Sequence, residues 1–124
     1  MRPELVLIRG LPGSGKLTLA STLQGVHLEA DQYFVNSDGV YCFDPQLLPQ
    51  AHAWCLAQTR HHLLAGESVV VANTFVQYWE MQAYVDLARE LAIALTVHVC
   101  KRKFKSIHGV PRKTIQQMRK NWQD

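Results

Sequence analysis

A short apolar run, Leu5-Val6-Leu7-Ile8, opens into Gly10-Leu11-Pro12-Gly13-Ser14-Gly15-Lys16, and a helical pattern follows at once. A continuous apolar run bounded by turn formers suits a strand buried on both faces of a parallel sheet. The glycines after it let the backbone curl so that successive N–H groups point inward at one place. Lys16 brings a cation to that place, and the following helix adds the partial positive charge of its N-terminus. A glycine-lysine pattern between strand and helix is a P-loop, built to hold the phosphates of ATP or GTP. It commits the chain to an α/β fold.

One position departs from the pattern. The residue after the lysine is ordinarily Ser or Thr, whose hydroxyl binds Mg²⁺, and here it is Leu17. Thr18 comes next, but one step along a helix turns a side chain by about 100°, which makes it a weak substitute as metal ligand. Phosphate cradling over Gly10 to Thr18 rests on backbone and lysine, so nucleotide binding is expected to survive. Metal positioning is expected to suffer.

The rest of the chain repeats the alternation of strand and helix. Leu17, Leu19, Ala20 and Leu23 predict a helix ending near Gly25, and Val26 to Ala30 reads as a second, weaker strand. Asn36-Ser37-Asp38-Gly39 marks a turn inside a loop from Tyr33 to Phe43. Asp44-Pro45 looks like a cap and first-turn proline, although Pro49 moves the expected helix start about four residues on. Leu47, Leu48, Ala51, Trp54, Cys55, Thr59, His62 and Leu63 then recur at helical spacing, with Gly66 placed to end the helix. Val69-Val70-Val71-Ala72 is the third strand, Trp79 to Leu91 a helix, and Leu95 to Val99 a fourth strand. Pro111 opens a last helix with Ile115, Met118 and Trp122 on one face. This order predicts a three-layer P-loop fold, a parallel sheet of about four to five strands with helices on both sides. Ligands of such sheets bind at the carboxyl ends of the strands.

At 124 residues the chain is expected to form one domain, and 48% hydrophobic with 19% charged residues is the balance of a globular protein. No apolar run approaches the ~20 residues that span a bilayer. Met1-Arg2-Pro3-Glu4 leads straight into the first strand, so no signal peptide is expected and a cytoplasmic location is the default. Cys42, Cys55 and Cys100 share no metal-ligand spacing and read as free thiols. Eight of the thirteen Lys and Arg residues fall between Lys101 and Lys120. Such a basic quarter suits phosphate-bearing ligands, and equally a solvated helix face.

Asp31 follows the second strand, at the sheet edge that carries the P-loop. A carboxylate there can accept a proton from an attacking hydroxyl, or serve only as a turn cap. Together with the P-loop, Asp31-Gln32-Tyr33-Phe34, Gly39-Val40-Tyr41-Cys42-Phe43-Asp44-Pro45, Ala51-His52-Ala53-Trp54, Val71-Ala72-Asn73-Thr74 and His108-Gly109-Val110-Pro111 resemble the small P-loop kinase-like AAA-type ATPases related to phage polynucleotide kinase. The resemblance runs over nearly the whole chain. It implies γ-phosphate transfer from ATP, with Mg²⁺, to the 5′-hydroxyl of DNA or RNA. It further implies Asp31 as general base, Lys16 on the phosphates, Tyr33, Asn73 and Thr74 on the acceptor, and Arg102, with Lys103 and Lys105, as a phosphate clamp on a short lid. Many members of that family carry Asp and Asn where Ala72 and Phe75 stand here. With Leu17, these departures keep open a weakened nucleotide-binding module, and a small-metabolite kinase is a third reading. No obligate protein partner is evident.

Overall fold

The computed structural model describes residues 2–101 and 111–124. Four parallel strands form one sheet in the order β2-β3-β1-β4: β1 Glu4–Gly10, β2 Val26–Leu28, β3 Val69–Asn73 and β4 Ala94–Cys100. The helices are α1 Lys16–Ala20, α2 Leu48–Leu64, α3 Trp79–Glu90 and α4 Arg112–Lys120. β1 lies between β3 and β4, in register from Leu5 opposite Val69 to Arg9 opposite Asn73, and from Glu4 opposite Ala94 to Gly10 opposite Cys100. β2 pairs with β3 from Val26 opposite Val69 to Leu28 opposite Val71.

Side chains alternate across a strand, so the apolar runs supply both faces. Leu5, Leu7, Val69 and Val71 point to the face covered by α2 and α3, where Cys55, Leu63, Met81, Tyr84 and Leu87 join them. Val6, Ile8, Val70 and Ala72 point to the opposite face, under Leu19, Ala20 and Leu23. Three layers result, with the chain stepping over β3 on its way from β1 to β2.

Asp44 accepts from the Gln46 amide at 3.0 Å and caps a 3₁₀ turn, Pro45–Leu47, before α2 begins at Leu48. Pro49 thus falls in the first turn of α2, where its missing N–H has no intrahelical partner to lose. Ala51, Cys55, Thr59 and Leu63 form the buried stripe of this helix, and Gly66 follows its end at φ +85°. α1 is shorter than its apolar pattern predicts. It stops at Ala20 because the Ser21 and Thr22 hydroxyls donate back to the Thr18 and Leu19 carbonyls, each at 2.7 Å, and loosen the next turn. β2 likewise ends at Leu28, and Ala30 starts a 3₁₀ turn, Ala30–Phe34.

Among the described residues, no helix is long and apolar enough to cross a membrane.

Candidate active site

The P-loop joins β1 to α1 at the carboxyl edge of the sheet. Gly13 (φ +80°) and Gly15 (φ +95°) take left-handed conformations that turn the amides inward, and Gly15 caps α1. Gly10 is held at its amide by the Thr74 carbonyl at 3.2 Å. A side chain at Gly10 has no room, since its Cβ would collide with Ser14 Oγ and lie 2.9 Å from the Cys100 carbonyl. Ser14 is buried, and its hydroxyl has no hydrogen-bond partner among the described residues. A buried hydroxyl without a partner, beside inward amides, fits a phosphate oxygen.

Lys16 folds back over this loop and donates to the Gly10 carbonyl at 2.7 Å and the Leu11 carbonyl at 3.1 Å. Burial pushes its pKa below the ordinary lysine value, against the opposing fields of Glu29, Cys100 and Asp31. Glu29 follows β2, its carboxylate 3.4 Å from His27 Nε2. Asp31 sits half-buried in the 3₁₀ turn after β2 and accepts from the Tyr41 hydroxyl at 3.3 Å. Burial first, then the Asp31 charge, raise the Tyr41 pKa.

The triphosphate and the metal fare differently in this donor set. Leu17 is 38% exposed and offers no oxygen, and Thr18, also exposed, carries the one hydroxyl of α1. The loop fits phosphates; it fits Mg²⁺ poorly.

On the acceptor side, Tyr33 is exposed and packs at 6.0 Å from Trp54, ring to ring. Asn73 turns inward: it is buried, its Oδ1 accepts from the Ala30 amide at 3.0 Å, and its Nδ2 faces Cys55 Sγ at 3.9 Å. It therefore fixes the backbone that leads into Asp31. Thr74 contributes its carbonyl to Gly10, which ties the end of β3 to the start of the P-loop. Phe75 is buried in the left-handed region, φ +44°, a conformation that asparagine tolerates better than phenylalanine. Arg102, Lys103 and Lys105 lie outside the described residues.

Arg9 is the participant that pattern reading passed over. It sits in the central strand with 3% exposure, and its guanidinium donates to the carbonyls of Phe75 (3.0 Å), Val76 (3.1 Å) and Gln123 (2.6 Å). The Trp122 ring covers it at 4.2 Å and the Tyr78 ring at 5.3 Å. A charge inside an otherwise apolar strand run was the available signal.

A family model describing an AAA domain matches residues 5–107. The chain belongs to this AAA domain family. Human NEDD4-binding protein 2 is 37% identical over 134 residues, covering 96% of this chain, while the chain spans 8% of that protein's length. Among solved structures, a chain of the Pnkp1/Rnl/Hen1 RNA repair complex superposes with TM-score 0.72 at 19% identity, over 97% of this chain and 44% of that one. An APS kinase of Mycobacterium tuberculosis superposes with TM-score 0.61 at 13% identity, over 97% of this chain and 96% of that one. The fold is that of the P-loop kinases.

Proposed function

We propose that this domain moves the γ-phosphate of ATP to the 5′-hydroxyl of a polynucleotide or a nucleotide-like acceptor. The observation that carries the proposal is that Asp31, in the turn that follows β2, lies at the same carboxyl edge of the parallel sheet as the P-loop that follows β1. In this reading Gly13 to Lys16 hold the triphosphate, with Ser14 Oγ and the α1 amides as donors. Asp31 takes the proton of the attacking hydroxyl as its oxygen bonds to the γ-phosphorus. The bond from that phosphorus to the bridging oxygen breaks, and ADP leaves. Asn73 acts through the Ala30 amide, keeping Asp31 at the edge. The acceptor class is supported by one solved neighbour, a chain of an RNA repair complex.

The test follows labelled γ-phosphate from ATP onto 5′-hydroxyl DNA and RNA oligonucleotides with Mg²⁺, counting free phosphate in the same tubes. Label on the oligonucleotide is expected, and Asp31→Asn is expected to lower turnover by about 10²–10⁴-fold with ATP affinity nearly unchanged. Equal activity in the variant removes Asp31 from its role.

Leu17 favours a second reading, a nucleotide-binding regulatory module of weak turnover. Under it, neither label nor free phosphate forms while ATP still binds, and Leu17→Ser creates Mg²⁺-dependent turnover. Unchanged turnover in Leu17→Ser counts against the missing hydroxyl as the reason.

A further inference from the structure

Five aromatic side chains cluster beside Asp31, and three of them face outward. Phe34, 4% exposed, is the anchor. Tyr33, Tyr41 and Phe43 stand edge-on to it at 5.7, 6.2 and 5.1 Å between ring centroids, and Trp54 packs behind Tyr33. Despite this support Tyr33 is 37%, Tyr41 41% and Phe43 51% exposed. Tyr41 and Phe43 are alternate residues of one extended segment, and their ring planes lie within 9° of each other at 6.4 Å.

The backbone beneath them is closed rather than slack. Val35 and Tyr41 form an antiparallel bridge, and the Cys42 amide donates to the Phe34 carbonyl at 2.7 Å. Asn36 Oδ1 takes the amides of Asp38 and Val40 and closes the turn between them. Rings held this way lose little conformational freedom when a ligand covers them.

We infer that Tyr41 and Phe43, with Tyr33 alongside, form a stacking platform for the nucleobases of a single-stranded acceptor; the inference rests on Asp31 as the base of the proposed transfer. The Tyr41 hydroxyl touches Asp31, so the platform begins one phenol ring away from the carboxylate. An occupant must therefore offer a hydroxyl to Asp31 and a flat face to the rings next to it. A nucleoside at a strand end has both. Each base has a π-face, which makes such a platform tolerant of sequence. A polar metabolite without a ring, or a base still paired in a duplex, leaves the rings uncovered.

The test uses the whole chain and three 3′-labelled probes: a 5′-hydroxyl single strand, the same strand with abasic residues at its first three positions, and a blunt duplex. Anisotropy is expected to show the base-bearing strand binding about tenfold or more tighter than the abasic one, with the duplex also weak. Phe43→Leu and Tyr41→Leu are expected to bring the ratio toward one, and Phe43→Trp to keep it. Both residues are exposed, and circular dichroism checks that the variants fold. Equal affinity for abasic and base-bearing strands, or binding of neither, overturns the platform. Phosphate transfer, measured in parallel, separates the two ideas. Transfer without base preference sinks the platform and keeps the kinase; base-dependent binding without transfer does the reverse.

Discussion

The two faces of the sheet are unequally built. Among the described residues, the face under α2 and α3 gathers fifteen buried residues into one core, from Leu5 and Leu7 to Tyr84 and Leu87. The face under α1 has four: Ile8, Ala20, Val70 and Ala72. α1, which covers this face, is a five-residue helix whose one buried residue is Ala20. Hydrophobic stabilisation scales with the apolar area removed from water, so the thick face holds the fold together. The thin face is left free to carry a loop whose amides and lysine must stay available to a ligand. The helix that follows the phosphate loop and the bulk of the core thus lie on opposite sides of the same four strands, while the turn that carries Asp31 packs through Ala30 and Phe34 on the thick one.

The largest expected break in this division comes from the loop. Lys16→Met should lower phosphate transfer or hydrolysis by roughly 10²–10³-fold. The melting temperature should hold or rise, because burial disfavours the ammonium it removes. A large fall in melting temperature would show the thin face to be structural after all.

Next in size, Leu7→Ala on the thick face should cost about 2–5 kcal/mol in urea unfolding, as Leu7 is fully buried. Leu19→Ala, on a half-buried position of the thin face, should cost clearly less. Equal losses would erase the contrast.

Arg9→Met should cost roughly 2–3 kcal/mol, since three carbonyls lose a charged donor. Arg9→Lys should rescue little, because an ammonium lacks the planar fork that reaches all three.

The smallest effect is one of pH, and its sign differs between the faces. Burial raises the Cys55 thiol and the Tyr84 phenol on the thick face. The folded state keeps these protons longer than the unfolded one, so stability should fall as pH rises above the ordinary thiol value of 9.0. Lys16 is lowered instead, so its contribution should rise with pH toward 10.5. Urea unfolding from pH 7 upward should therefore show a net alkaline loss that Cys55→Val with Tyr84→Phe reduces. Equal slopes in both proteins would put the titration elsewhere.

Local signals make much of this legible in the sequence. Four β-rich or apolar runs became the four strands, and the glycines and lysine of the P-loop sit where a strand meets a helix. The Asp44 cap with Pro49 placed the start of α2 to within a residue. The length of α1 was not readable, because Ser21 and Thr22 act on carbonyls three residues back rather than through hydrophobic period. Distant partners hid more. Asn73 looked like a polar residue at a strand end free for a ligand, yet its amide answers a backbone N–H forty-three positions earlier. The aromatic segment reads only as a loop around a turn, since neither the bridge between Val35 and Tyr41 nor the ring packing on Phe34 has a sequence period.

The Arg9 contact to Gln123 joins residues 114 positions apart. Closing so long a ring of chain carries a larger entropy penalty than any helix turn, and it is recovered only after the sheet between the two ends exists. The tail is then expected to dock late in folding and to open early in the native state. In hydrogen exchange, the amides of Tyr78 and Gln123, held by Gln123 Oε1 and the Val76 carbonyl, should lose protection together and well before Val70 or Val71. The strand that feeds the phosphate loop is in this sense buttoned by the far end of the polypeptide.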